Sequence, residues 1–311
     1  MALKGVIRGV KNKPPRVVLY GPPGIGKSTF GSDAVSPIMV TTEDGVDNLN
    51  VDQYPKAETW DAFMDNVNAV ATGEHEYKTL VIDTLNGAAE LCSKVVCERD
   101  FAGEWTAEKG KRGFNGFAAG WTATSEEMVP LMVALDKCRN ERGMMVLLLA
   151  HVGLHSVSNP ISGDYTKHAP EVDKRVWGKW SKWSDIILRA DFDYRVEPGE
   201  SGKKGRVRGD NQRVVYTAGD AAQDAKTRAG YELPDTIDLS YSAFMAALGS
   251  DNESLTEITE LWVVLDKTQE TKALAYLGVS SVDKIADADL TKVRSMLNRL
   301  RKLSSDKKEV Q

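Results

Sequence analysis

RVVLYGPPGIGKST, Arg16 to Thr29, is an apolar run that ends in a glycine-rich turn. Gly21–Thr29 spells G-x-x-x-x-G-K-[ST], a phosphate-binding loop. A tight turn between a strand and a helix needs glycine where backbone N–H groups converge on phosphate oxygens, and Gly21, Gly24 and Gly26 supply it. In this reading the loop Gly21, Pro22, Pro23, Gly24, Ile25, Gly26, Lys27, Ser28 and Thr29 wraps a nucleotide. The Lys27 ammonium meets the β- and γ-phosphates, and the Ser28 hydroxyl ligates Mg²⁺. The expected cofactors are therefore ATP and Mg²⁺. The loop alone does not select among kinases, GTPases, motors and recombinases.

Working outward, short apolar runs alternate with helical periodicity. Candidate strands are Arg16–Tyr20, Ile38–Thr42, Thr79–Asp83, Met144–Ala150 and Asp185–Tyr194. Strands alternating with helices of this size predict an α/β fold with a parallel sheet. RVRGDNQRVVYT, Arg206 to Thr217, reads as an antiparallel return strand. TLVIDT places Asp83 at the end of a buried strand, where a carboxylate can hold the metal's water shell. Thr84 follows it, where many ring-forming motor ATPases carry Glu. The remaining acid for orienting water is Glu43, at the end of IMVTTEDGVDNL, with Asp44 as the fallback and a turn cap as the plainer alternative.

The net charge of −5 excludes a general basic coat, so contact with nucleic acid requires local patches. FAGEWTAEKGKRGFNGFAAGW, Phe101 to Trp121, mixes Lys109, Lys111 and Arg112 with Trp105, Phe114, Phe117 and Trp121. Cations follow a backbone and rings stack on unpaired bases, so this segment is a candidate single-strand contact, or a surface loop with core-anchoring aromatics. Three cysteines without a C-x-x-C pair read as reduced core thiols. The longest apolar run, MMVLLLA, is too short to span a bilayer, and the N-terminal stretch has no apolar core of signal-peptide type. The expectation is a soluble cytoplasmic protein with no membrane partner. A break at Leu248–Ser254 separates 1–248 from a small all-helical module, 249–311, that ends in a polar tail.

Together these residues resemble the RecA-like P-loop NTPase core of phage-encoded single-strand annealing and recombination proteins, over roughly residues 10–245. The resemblance implies a catalytic Glu43, with Asp47 near the adenine. It implies that His151, ending VLLLAH where the family normally has Gln, feels the γ-phosphate. Val152–Arg175 takes the place of the family's mobile DNA-binding loop, with Lys167, Lys174 and Arg175 meeting phosphates. DAKTRAGYELP resembles the K-x-R element inserted into a neighbour's nucleotide site. Lys226 and Arg228, two apart, point to one side of an extended segment. The resemblance thus implies a head-to-tail homo-oligomer that binds single-stranded DNA, hydrolyses ATP, and anneals or exchanges strands, in a bacterial host's cytoplasm if phage-encoded. The helical module is similar to small C-terminal modules appended to phage recombination proteins, and its basic last helix reads as a DNA contact, a contact with a partner such as a single-strand-binding protein, or a solvated face. A helicase-type translocase and a nucleotide-gated scaffold are the alternatives.

Overall fold

In the computed structural model, the residues described are 13–106, 113–161, 163–197, 206–231, 233–248, 261–262, 265–287, 296 and 299–300. The expected central strands are present: β1 Arg16–Gly21, β2 Pro37–Thr41, β4 Thr79–Asp83 and β5 Met145–Val157, with the two-residue β3 Asp52–Gln53 beside β2. Val17–Tyr20, Leu80–Ile82 and Val146–Ala150 are 0% exposed, as apolar runs in a doubly covered parallel sheet should be. The strands continue as β6 Tyr165–Pro170, β7 Ile186–Glu197, β8 Arg206–Tyr216, β9 Lys226–Thr227 and β10 Thr236–Asp238. Their sheet order is β10-β8-β7-β1-β5-β4-β2-β3, with β6 added to β5 and β9 to β7. From β7 to β3 every neighbouring pair along this order is parallel, while β8, β10, β6 and β9 pair antiparallel. The fold is the expected mixed α/β class, with a central, mainly parallel sheet flanked by helices.

One face of the sheet, with Val18, Tyr20, Val40, Ile82 and Leu148, packs beneath α2 Trp60–Thr72, α3 Leu85–Phe101, α5 Val129–Glu141 and α6 Lys174–Trp183. The other face carries the short α1, Lys27–Ser32, whose Gly31 sits where a Cβ would be 3.0 Å from Val81 and 3.3 Å from Leu149. Phe30 of α1 meets Tyr241 and Phe244 at ring-centroid distances of 5.5 and 5.9 Å. Between α3 and α5 lies α4, Ala119–Glu127.

Two expectations are corrected. Val152–Arg175 is not one long loop: β5 runs on to Val157 and pairs with β6 from Val152↔Pro170 to Val157↔Tyr165. The Gly, Ser and Pro that suggest a loop sit mainly in the tip, where Asp164 accepts from the Asn159 N–H at 3.1 Å. Lys174 and Arg175 open α6, whose cap Asp173 accepts from the Arg175 N–H at 2.8 Å. Phe114 does not face solvent: it is 0% exposed and lies among Phe101, Trp105 and Trp121 at 5.6, 4.6 and 5.0 Å. It is a core anchor, and Gly120 is the residue that admits it, because a Cβ there would lie 2.3 Å from the ring. Lys109, Lys111 and Arg112 lie outside the described residues.

The chain divides into two compact units, Lys13–Phe244 and a second made of Met1–Asn12 with Met245–Gln311. Within the second, helix Lys267–Leu277 carries a capping box, Asp266 with Gln269, and ends at Gly278 with φ 75°. Its apolar face gathers Trp262, Ala273, Leu277, Ile285, Met296 and Leu300. Among the described residues no helix is long and apolar enough to cross a membrane.

Truncating a fully buried aromatic leaves a cavity that its neighbours fill only in part. Phe114→Ala is expected to cost about 3–5 kcal/mol, read from the denaturant midpoint of the Lys13–Phe244 unit. An unchanged midpoint would mean that Phe114 is not the anchor described.

Candidate active site

Parallel register decides which strand ends meet. Gly21 of β1 stands opposite His151 of β5, Leu149 opposite Asp83 of β4, and Asp83 opposite Thr41 of β2. The carboxyl ends of four strands therefore deliver the phosphate loop, His151, Asp83 and the Thr42–Glu43 turn to one edge. The loop uses glycine where other residues would be strained: φ is 73° at Gly24 and 113° at Gly26. Gly21 is required for a different reason, since a Cβ there would lie 2.5 Å from the Ala190 carbonyl of β7.

Lys27 is buried and donates to the carbonyls of Gly21 at 3.0 Å and Pro22 at 3.1 Å, so its ammonium closes the loop. Burial pulls its pKa down, against the raising influence of Asp83 and Glu43. The Ser28 hydroxyl donates to Asp83 Oδ2 at 2.7 Å. Burial pushes the Asp83 carboxyl above its ordinary range, opposed by the Ser28 bond. A buried carboxylate carrying that penalty beside a hydroxyl is a donor set that a hard divalent cation fits. Among the described residues no group of three or more His, Cys, Asp or Glu side chains could hold a metal, so such an ion would take its remaining ligands from phosphate and water.

Glu43 is gripped at both oxygens. The Thr84 hydroxyl donates to Oε1 at 2.5 Å, and His151 Nε2 lies 2.9 Å from Oε2. The His151 bond holds Glu43 below the ordinary carboxylate range, with Thr84 adding to it and burial opposing. A carboxylate acceptor assigns the imidazole hydrogen to Nε2. His151 Nδ1 is buried without a hydrogen-bond partner.

Sequence reasoning misses two residues here. In the sequence Thr84 registers only as a residue that is not Glu, yet its hydroxyl donates to Glu43 while accepting the Gly87 N–H at 3.1 Å as the cap of α3. A signal for the cap exists: Thr84 follows a strand and precedes a helical pattern. Close approach of α3 to this edge needs Gly87, where a Cβ would be 2.1 Å from Thr42 Oγ1. Asn86 accepts from the His151 backbone N–H at 2.8 Å and donates to the Glu171 carbonyl at 2.6 Å, bridging β5 to the chain leaving β6. No local pattern marks it.

The other candidates lie farther out. Asp44 is exposed and ion-paired with Lys56 at 2.8 Å. Asp47 lines a small pocket of about 240 Å³ with Glu43, Tyr54 and Lys56. Lys226 and Arg228 are not brought to this edge. Their strand pairs with β7 at Ile186 and Ile187, opposite Val17 and Val18 in β1 rather than Gly21. Lys226 donates to the Ser181 carbonyl, and Arg228 to the Lys182 carbonyl at 2.6 Å, both at the end of α6. Lys167 pairs with Asp224 at 2.6 Å, Arg175 with Asp173 at 3.4 Å, and Lys174 is exposed.

Because Glu43 has a depressed folded pKa, its contribution to stability is present above the unfolded value near 4.5 and is lost as pH falls through the lower folded value. His151→Ala removes the largest cause. The Glu43 carboxyl-carbon resonance should then titrate at higher pH than in the wild type, and an unchanged midpoint would refute the bond's role.

A family model described as an AAA domain matches residues 13–229. No curated protein matches. Among solved structures, a crystal structure of the RadB recombinase aligns over 74% of this chain and 90% of that one, at 13% identity and a TM-score of 0.39. A phosphate loop on β1, a buried Asp83 on β4 and a match spanning 13–229 place the chain in the AAA domain family of nucleotide-binding P-loop proteins.

Proposed function

We propose that this chain is an ATP-hydrolysing, single-stranded-DNA-binding recombination protein that works as a head-to-tail oligomer. The observation that carries this reading is the Glu43–His151 hydrogen bond. It joins the water-orienting acid directly to the root of the β5–β6 hairpin, which occupies the expected place of the DNA contact.

The backbone N–H groups of Gly21–Thr29 and the Lys27 ammonium hold the triphosphate, with Asp47 toward the adenine. Ser28 and Asp83 hold Mg²⁺, which when bound neutralises charge on the β- and γ-phosphates. Glu43 remains ionised at neutral pH, because its pKa is depressed, and orients the attacking water. Each of its oxygens already accepts one hydrogen bond, so His151 and Thr84 fix the direction from which it can take that water. Seating of a strand on the hairpin, through Lys167, Lys174 and Arg175, moves His151 and releases Oε2. Binding of nucleotide and strand are then reciprocally coupled.

In the oligomer, Arg228 exchanges its contact at the end of α6 for the γ-phosphate held by the next subunit. The AAA domain match supports nucleotide hydrolysis. The C-terminal module, 249–311, recruits partners such as a single-strand-binding protein.

ATPase rates of the purified protein with and without polydeoxythymidine test the reading. The strand should stimulate the wild type, and Glu43→Gln should lower the stimulated rate by about 100-fold or more. No response to the strand would refute the coupling. A second expectation concerns the shared site. Glu43→Gln and Arg228→Ala, each inactive alone, should regain measurable activity when mixed, since one subunit supplies the arginine and the other an intact Glu43. Failure of mixing to restore any rate would argue against action between subunits.

A further inference from the structure

Two clefts open on the side of the hairpin. The first, about 820 Å³, runs from Glu43 and His151 past Trp121 and Leu154. The second, about 590 Å³, lies over α6 between the outer part of the hairpin and β9. They share His155, Ser156 and Lys174, so they form one continuous groove.

Charge divides this groove. The first cleft carries Glu43, Glu90, Glu171 and Asp173 and repels a polyanion. The second is lined, among the described residues, by Lys167, Lys174, Lys182 and Lys226 against a single carboxylate, Asp224. In a chain of net charge −5, four lysines around one cleft are a local exception to the global field. Asp224 is already committed, to Lys167 at 2.6 Å and to the Trp177 indole N–H at 2.9 Å. The acceptor for Lys226 is the neutral Ser181 carbonyl rather than a carboxylate. Burial lowers the Lys226 pKa and Arg228 adds to it, a cost that an anion in the cleft would relieve. Among the described residues the lining contains no arginine, which removes the planar fork used for bidentate readout and leaves point charges suited to phosphate oxygens.

We propose that the cleft lined by Lys167, Lys174, Lys182 and Lys226 is the track for the sugar-phosphate backbone of the single strand, and that Lys226 is thereby a phosphate ligand within its own subunit. This rests on the reading of the chain as a single-strand binder and adds Lys182 and Lys226 to its contacts. Recognition by lysine point charges is independent of base sequence. His155 and Ser156 in the wall of this cleft belong to the same strand, β5, as His151, and through that strand a seated backbone can disturb the Glu43 bond.

The test uses full-length protein and a fluorescein-labelled oligodeoxythymidine, with anisotropy titrations across a series of salt concentrations. Lys182→Gln and Lys174→Gln alter exposed side chains, and Lys78→Gln, an exposed residue before β4, is the control. Each groove variant should weaken binding several-fold and reduce the slope of log K against log salt by about 0.7, one phosphate contact. The control should match the wild type. If the wild type binds and the groove variants match Lys78→Gln, the track is refuted while the single-strand reading stands. If the wild type does not bind, that reading fails and the track with it. A parallel titration with pyrophosphate separates the sources of phosphate: loss of pyrophosphate binding without loss of oligonucleotide binding would overturn the backbone track in favour of a free nucleotide.

Discussion

The register of four parallel strands is the constraint on which the site depends. With Gly21 opposite His151 and Leu149 opposite Asp83, the phosphate loop and His151 are strand neighbours, and Asp83 lies one strand further on. A parallel sheet fixes this because its strands are buried on both faces, so a slip would move every apolar contact at once. Thr42 secures the last strand end: its N–H donates to the Asp83 carbonyl at 2.7 Å and its hydroxyl accepts from the Thr84 N–H at 2.9 Å. Glu43 comes next in the chain and is aimed by that stitch.

Two polar links, the first of them buried, extend the register into the rest of the molecule. Tyr20, the residue before the phosphate loop, is 0% exposed, and its hydroxyl lies 2.6 Å from the Asp224 carbonyl and 3.1 Å from that of His168. Asp224 sits in the wall of the lysine-lined cleft, so the strand that carries the loop touches the cleft's floor. Asn86 makes the second link, between His151 and Glu171. Burial makes such bonds costly to break singly. Movement at the hairpin root therefore reaches the nucleotide edge through defined contacts, in keeping with the coupling proposed.

Much of this is legible in the sequence, for local reasons. The phosphate loop, Asp83 and the strands through Ala150 follow from apolar runs bounded by turn residues, and Gly278 marks a helix end because only a left-handed residue fits there. What is illegible depends on tertiary contacts. β5 alternates half-buried and exposed residues only at its end, beyond a fully buried stretch, and the turn residues of the tip make the flanking strands read as part of one loop. Phe114 reads as a stacking ring until Gly120 is seen to make room for it. Thr84 and Asn86 act across strands whose adjacency no local pattern reveals. Lys182 belongs to a cleft that the consecutive β5, β6 and α6 close only together with β9, which comes much later in the chain.

The central claim is that the Glu43–His151 bond carries information between nucleotide and strand. It is tested most directly by the affinity for an oligodeoxythymidine, measured without nucleotide and with a non-hydrolysable ATP analogue, in the wild type and in His151→Ala. The account predicts that the analogue tightens wild-type binding on the order of tenfold and leaves the variant unchanged. Equal tightening in both proteins, or none in the wild type, would contradict it.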